Sequence, residues 1–113
     1  MEQKVARALE ACKKCVEACL ACAEGCSSQE GMESCARKDR ECADVCTTTV
    51  TLLERFSEIN PEEMKAQLQD CVASCRECAE GCEQHADNHE HCRVCAEACR
   101  RCEAACAELL ASL

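Results

Sequence analysis

Apolar positions in this chain recur at steps of three and four, and most of them are cysteine. Cys12, Cys15, Cys19, Cys22 and Cys26 alternate those two steps, with Ala, Glu and Lys filling most of the places between. That spacing keeps the cysteines on one stripe of a helix with 3.6 residues per turn. Cys71, Cys75, Cys78 and Cys82 form a second stripe, and Cys92, Cys95, Cys99, Cys102 and Cys106 a third. A fourth holds Cys35, Cys42 and Cys46, with Asp39 in the slot between the first two. The intervening residues are mostly good helix formers, and no segment alternates in the two-residue rhythm of a strand. The pattern predicts an all-α protein with helices near 2–26, 32–56, 61–84 and 88–112.

The punctuation agrees with that division. Asn60-Pro61-Glu62-Glu63 reads as a helix start, with Asn60 capping, Pro61 at the first helical position and Glu63 completing a capping box. Asp87 followed by Glu90 gives a second start signal, and Ser27 to Gly31 is the expected earlier break. The two halves of the chain are related. Cys15–Cys26 matches Cys71–Cys82 at eight of twelve positions, and Cys35, Cys42 and Cys46 align with Cys95, Cys102 and Cys106. One helical hairpin is therefore used twice. Short connections make neighbours antiparallel, which predicts an up-down-up-down four-helix bundle in one domain spanning 1–113. All seventeen cysteines then take the a and d positions where such a bundle normally carries Leu or Ile.

Composition sharpens the chemistry. There is no Trp or Tyr and only one Phe among 113 residues, so ordinary core material is scarce. Seventeen cysteines would suit a secreted disulfide scaffold, but the number is odd and the spacing is helical rather than loop-rich. The opening Met-Glu-Gln-Lys-Val-Ala-Arg has no apolar stretch and no cleavage site, so a cytoplasmic location with reduced thiols is expected. The longest uncharged run, Val45 to Leu53, is too short to span a membrane. A net charge of −9 without a basic stripe argues against nucleic acid. No nucleophile is paired with an oriented base, which argues against an enzyme.

Replacing most of a core with cysteine sacrifices volume and transfer free energy, so a metal ion is expected to occupy the seam. Thiolates suit soft ions. Zn(II) prefers closed tetrahedra, and an all-thiolate Zn site would stay doubly negative in a buried core. Iron–sulfur clusters draw their cysteines largely from loops, with spacings this chain lacks. Cu(I) accepts two or three thiolates, so bridging brings the ratio towards one ion per cysteine and the core towards neutrality. The seams point to Cu(I), with a zinc or general soft-metal store as the alternative and an iron–sulfur redox protein behind it.

The regular Cys-x-x-Cys and Cys-x-x-x-Cys seams on four helices resemble the bacterial copper storage proteins of the cytosolic type, over essentially the whole chain. The resemblance implies a homotetramer of bundles, each storing many Cu(I) ions on inward-pointing cysteines.

The two ends of the bundle differ. Val5, Ala8, Leu53, Phe56, Met64, Leu68, Leu109 and Leu113 extend the seams at one end and form an apolar plug. At the other end lie Met32, in the slot that Cys92 fills in the repeat, and His85, His89 and His91. These four are either accessory copper ligands that receive the ion or, respectively, a gap-filler and a solvated connection. Asp39 occupies the slot of Cys99 and either faces inward as an oxygen ligand or turns outward towards Lys38 or Arg40.

Overall fold

The computed structural model describes residues 1–113 and is an up-down-up-down antiparallel four-helix bundle measuring 44 × 19 × 17 Å. Helix α1 spans Glu2–Ser27, α2 Glu33–Leu53, α3 Pro61–Glu83 and α4 Glu90–Ala111. Each helix packs against two neighbours, α1 on α2 and α4, and α3 on α2 and α4. No helix is long and apolar enough to cross a membrane.

Chain reversals explain where the helices stop. Gly31, at φ +85°, supplies the left-handed residue between α1 and α2. Asn60 Oδ1 accepts the Glu62 amide at 2.8 Å, and Pro61 holds the first helical position. The cap is therefore simple rather than a box, because Asn60 engages the second helical amide and no reciprocal bond returns from Glu63. Helix α2 ends three residues earlier than the periodicity suggests. Phe56–Glu58 form a separate 3₁₀ turn, which folds Phe56 and Ile59 back against the bundle. Helix α4 begins at Glu90 with His89 as its N-cap. Asp87 does not cap because the chain is still turning there: the His85 carbonyl accepts from the amides of both Asn88 and His89.

The core has two zones. At one end Ala8, Leu53, Met64, Leu68 and Leu109 are buried, with Val5, Phe56 and Leu113 packed against them. Beyond this plug the interior is cysteine. Thr49 marks the boundary, in the seam slot where the repeat has Leu109. Its hydroxyl donates to the Val45 carbonyl at 2.8 Å and accepts from Gln67 Nε2 at 3.0 Å, which ties α2 to α3. Ion pairs link the other helix pairs: Arg7–Glu108, Lys13–Glu54, Arg76–Glu103 and Arg100–Glu83. All but Glu103, whose side chain is 16% exposed, are substantially exposed groups, and such pairs set alignment more than stability.

Hydrophobic stabilisation is concentrated in the plug and does not depend on a bound ion. Reduced, metal-free protein should keep a helical far-ultraviolet circular dichroism spectrum, and in that state Leu109→Ala should lower the unfolding free energy by about 2–5 kcal/mol. Denaturant titration of the stripped protein checks both.

Candidate metal centre

All seventeen cysteines are free and buried. Fifteen have no exposure at all; Cys78 retains 2% and Cys35 6%. The four seams place sulfurs from different helices side by side. Cys12 Sγ lies 3.5 Å from Cys102 and 3.6 Å from Cys106, and Cys15 lies 3.7 Å from Cys99. Cys46 stands 3.7 Å from Cys75 and 3.9 Å from Cys71. Nearer the other end Cys22 contacts Cys82 and Cys92, each at 3.9 Å, and Cys35 contacts Cys82 at 3.8 Å. These separations suit S–H···S contacts between thiols and need only small shifts to admit a soft ion between two sulfurs.

The sulfurs cluster in overlapping fours. Cys12, Cys71, Cys102 and Cys106 lie within 4.8 Å of one another; so do Cys15, Cys42, Cys46 and Cys75; Cys15, Cys19, Cys42 and Cys99; and Cys19, Cys78, Cys95 and Cys99. Cys15, Cys19, Cys42 and Cys99 each belong to two groups. A thiolate shared in this way is placed to bridge two ions.

Burial and crowding govern protonation. Burial, followed by the nearby charge of Cys82, pushes the Cys35 thiol well up. Burial also raises Cys92, to about 12, with Cys26 adding to the effect. Deeper in, neighbours share protons. Contacts with Cys15, Cys19, Cys46 and Cys75 hold Cys42 low, while contacts with Cys15 and Cys42, among others, hold Cys19 and Cys75 high. The metal-free column therefore keeps most of its protons, and a thiophilic cation must displace them.

Asp39 faces inward. It is fully buried, and Oδ1 accepts from Cys78 at 3.1 Å, Cys95 at 3.4 Å and Cys82 at 3.5 Å. Neither basic neighbour reaches it: Arg40 donates to Ser27 Oγ, and Lys38 lies across Gly81. The sulfur hydrogen bonds form an outer set of Cys22, Cys26, Cys35, Cys82 and Cys92 and a longer inner set of the other twelve, and Asp39 touches both. Asp39 Oδ2 is buried without a partner. In a dry core such an oxygen is costly unless protonated or coordinated.

Beyond the outer set the three histidines form a chain. Ring centroids of His85 and His89 lie 6.4 Å apart, and those of His89 and His91 5.4 Å apart. His91 completes a group with Cys22, Cys26 and Cys92, its Nε2 3.6 Å from Cys26 Sγ. Gly25 makes room for this ring, since a Cβ there would stand 2.9 Å from His91 Nδ1. Met32 is buried in the core cluster at the same end. Sequence reasoning missed the Gly25 cradle, although the Gly25 and Gly81 repeat in otherwise glycine-poor helices was a signal. It also missed the Thr49–Gln67 link, whose signal was a threonine in a seam slot.

Burial raises the Asp39 carboxyl from an ordinary 3.8 to about 6, against the opposing effect of the thiol donors. Between those values the folded protein holds a proton that the unfolded chain releases, so this group favours the fold fully at low pH and loses that contribution as pH rises through about 6. The difference in unfolding free energy between wild type and Asp39→Asn, measured on reduced metal-free protein, should shift towards the variant by up to about 3 kcal/mol from acid to neutral pH. Taking the difference cancels the surface carboxylates.

Comparison with known proteins places this geometry. The family model described as "Csp: Copper storage protein" matches residues 1–111. Among solved structures, the copper storage protein Ccsp from Streptomyces lividans loaded with 10 copper equivalents is 47% identical, with a TM-score of 0.95 over 98% of this chain and 86% of that one. A cytosolic copper storage protein from Streptomyces lividans carrying five coppers gives the same identity and TM-score, over 98% and 95% of the two chains. Apo-CSP3 from Bacillus subtilis is 35% identical, with a TM-score of 0.80 over 92% and 96%. A search of curated proteins gave no match. With a family model spanning nearly the whole chain and solved relatives this similar, the chain belongs to the copper storage protein family.

Proposed function

We propose that this protein stores Cu(I) in the cytosol on the thiolates of Cys12, Cys15, Cys19, Cys22, Cys26, Cys35, Cys42, Cys46, Cys71, Cys75, Cys78, Cys82, Cys92, Cys95, Cys99, Cys102 and Cys106, at about one ion per cysteine. The observation that carries the reading is the sharing of sulfurs between adjacent groups of four. Isolated tetrahedra would consume four thiolates per ion and leave each site doubly negative in a core with no buried cation. Bridging two-coordinate Cu(I) uses each sulfur twice and keeps the column near neutral. No step of this role is a reaction on a substrate. The role is storage rather than catalysis, and the homotetramer implied by the family resemblance belongs to the same reading.

Roles for the remaining polar groups follow. His91, with Cys26 beside it, receives ions arriving past His85 and His89, since neutral imidazole holds Cu(I) less firmly than thiolate. Met32 offers a thioether at the same end. Asp39, with one oxygen free, carries ions between the outer and inner sets. The plug offers a cation nothing, so filling proceeds from the histidine end.

Zinc is the second reading, favoured by the closeness of Cys12, Cys71, Cys102 and Cys106. Anaerobic titration of reduced protein with Cu(I) and Zn(II) separates the two. Copper should saturate at about 14–20 ions per chain, following the bridging argument, and should displace zinc. Saturation at roughly four ions would indicate tetrahedral sites and overturn the copper core.

A further inference from the structure

The repeat is broken beside the outer thiols in a way that opens the wall of the bundle. Residues of α1 correspond to those of α3, and residues of α2 to those of α4, so Gly25 pairs with Gly81 and His91 with Gly31. Across α1 and α4, His91 fills the space over Gly25. Across α2 and α3, the equivalent place holds Gly31, which has no side chain to offer. A recess of about 290 Å³ remains there, bounded by Gly31, Ser34, Cys35, Lys38, Gly81 and Gln84, with His85 at its edge. At its floor is Cys35, the most exposed thiol in the protein, whereas its counterpart Cys95 has no exposure.

Three further observations single out this groove. No ion pair spans α2 and α3, while ion pairs bridge α1 to α4 and α3 to α4 and Lys13 of α1 reaches Glu54 at the C-cap of α2. The only other thiol with residual exposure, Cys78, lies along the same groove. Lys38 lies over Gly81 with its Cδ 3.6 Å from where a Cβ would stand, and it takes part in no ion pair. Further along, the groove turns acidic at Glu41, Asp70 and Glu77. Lys38 thus lines both stretches, without an ion pair, and is the only lysine or arginine at the recess, while the carboxylates further along disfavour an anion there.

We propose that this recess is a side port through which the column exchanges Cu(I) with a small anionic thiolate complex of the ion, with Cys35 as the first acceptor and Lys38 as the group that recognises the donor's charge. The proposal rests on the copper-storage reading. A volume near the lower end of small-ligand pockets admits a compact thiol and excludes a protein domain. The exchange balances without an oxidant or reductant. Two Cu–S bonds to the donor break, and two form to Cys35 and Cys82, whose sulfurs stand 3.8 Å apart. The two thiol protons pass to the departing donor thiolates, and the single negative charge of the bis-thiolate complex moves inward with the ion. Copper remains Cu(I) throughout.

The test compares two donors by stopped-flow loading of the reduced protein: an anionic bis-glutathione Cu(I) complex and cationic Cu(I) in acetonitrile. Lys38→Glu should slow loading from the anionic complex by about tenfold or more, in a manner that added salt weakens, and should leave the cationic donor unimpeded. Gly81→Leu should block the recess and slow the anionic donor alone; a Cβ at 81 makes only ordinary contact with Lys38, so the variant should fold. Replacing His85, His89 and His91 by Ala should do the reverse, slowing the cationic donor. Sub-stoichiometric maleimide should label Cys35 before any other thiol. The side port is overturned if both groove variants load from the anionic complex at the wild-type rate, or if Cys26 or Cys92 is labelled first. Final capacity serves as the control: failure of the wild type to take up copper would reject the storage reading itself, whereas normal capacity with unaltered groove kinetics rejects only the port.

Discussion

The central constraint is that thiols replace branched aliphatic side chains at nearly every core position of a small bundle. Cysteine is smaller than leucine, and a bundle core made of it forfeits both volume and transfer free energy. Two features offset this. Leu53, Met64, Leu68 and Leu109 gather at one end as a conventional core, and the four helices approach closely enough to bring sulfurs from different seams within 3.5–4.0 Å. That proximity is also what the chemistry needs. Sulfurs that touch across helices in the metal-free protein are already placed to bridge ions, so under the proposed role loading would replace S–H···S contacts with S–Cu–S bonds with little movement of the helices.

Function then follows from how the duplicated hairpin departs from its own symmetry. A perfect repeat would give a column alike on both sides of the bundle. Here three substitutions differentiate it at the histidine end: Asp39 stands where the repeat has Cys99, Met32 where it has Cys92, and Gly31 where it has His91. The first puts a buried carboxylate at the junction of the outer and inner thiols. The second puts a thioether in place of a thiol at the mouth. The third leaves one flank uncovered while His91 covers the other. An acidic surface surrounds all of this, and the exposed ion pairs that align the helices skip the α2–α3 groove.

Much of this was legible in the sequence because one periodicity carried both fold and site. The step of three and four fixed helix, face and core in a single reading, and the burial of all seventeen cysteines follows from it. The apolar plug was equally legible, since Leu53, Leu68 and Leu109 continue the same stripes. Helix ends were less so, because they depend on backbone hydrogen bonds that compete locally. Asp87 has the right side chain for a cap, but the His85 carbonyl keeps the chain turning past it. The orientation of Asp39 could not be read from its neighbours, as Lys38 and Arg40 were plausible partners until Gly81 and Ser27 were seen to engage them. The recess at Cys35 is an absence of side chain, which becomes visible only when the repeats are superposed in space.

In the proposed store the buried sulfurs, and not the oxygen or nitrogen groups around them, hold the ions, and they do so by bridging. X-ray absorption at the copper edge of the fully loaded protein tests this most directly. Bridging thiolates should give an edge of Cu(I), a first shell of two to three sulfurs per ion with almost no lighter scatterers, and a clear copper–copper contribution. A first shell dominated by nitrogen or oxygen, or isolated four-sulfur sites with no metal–metal scattering, would contradict it.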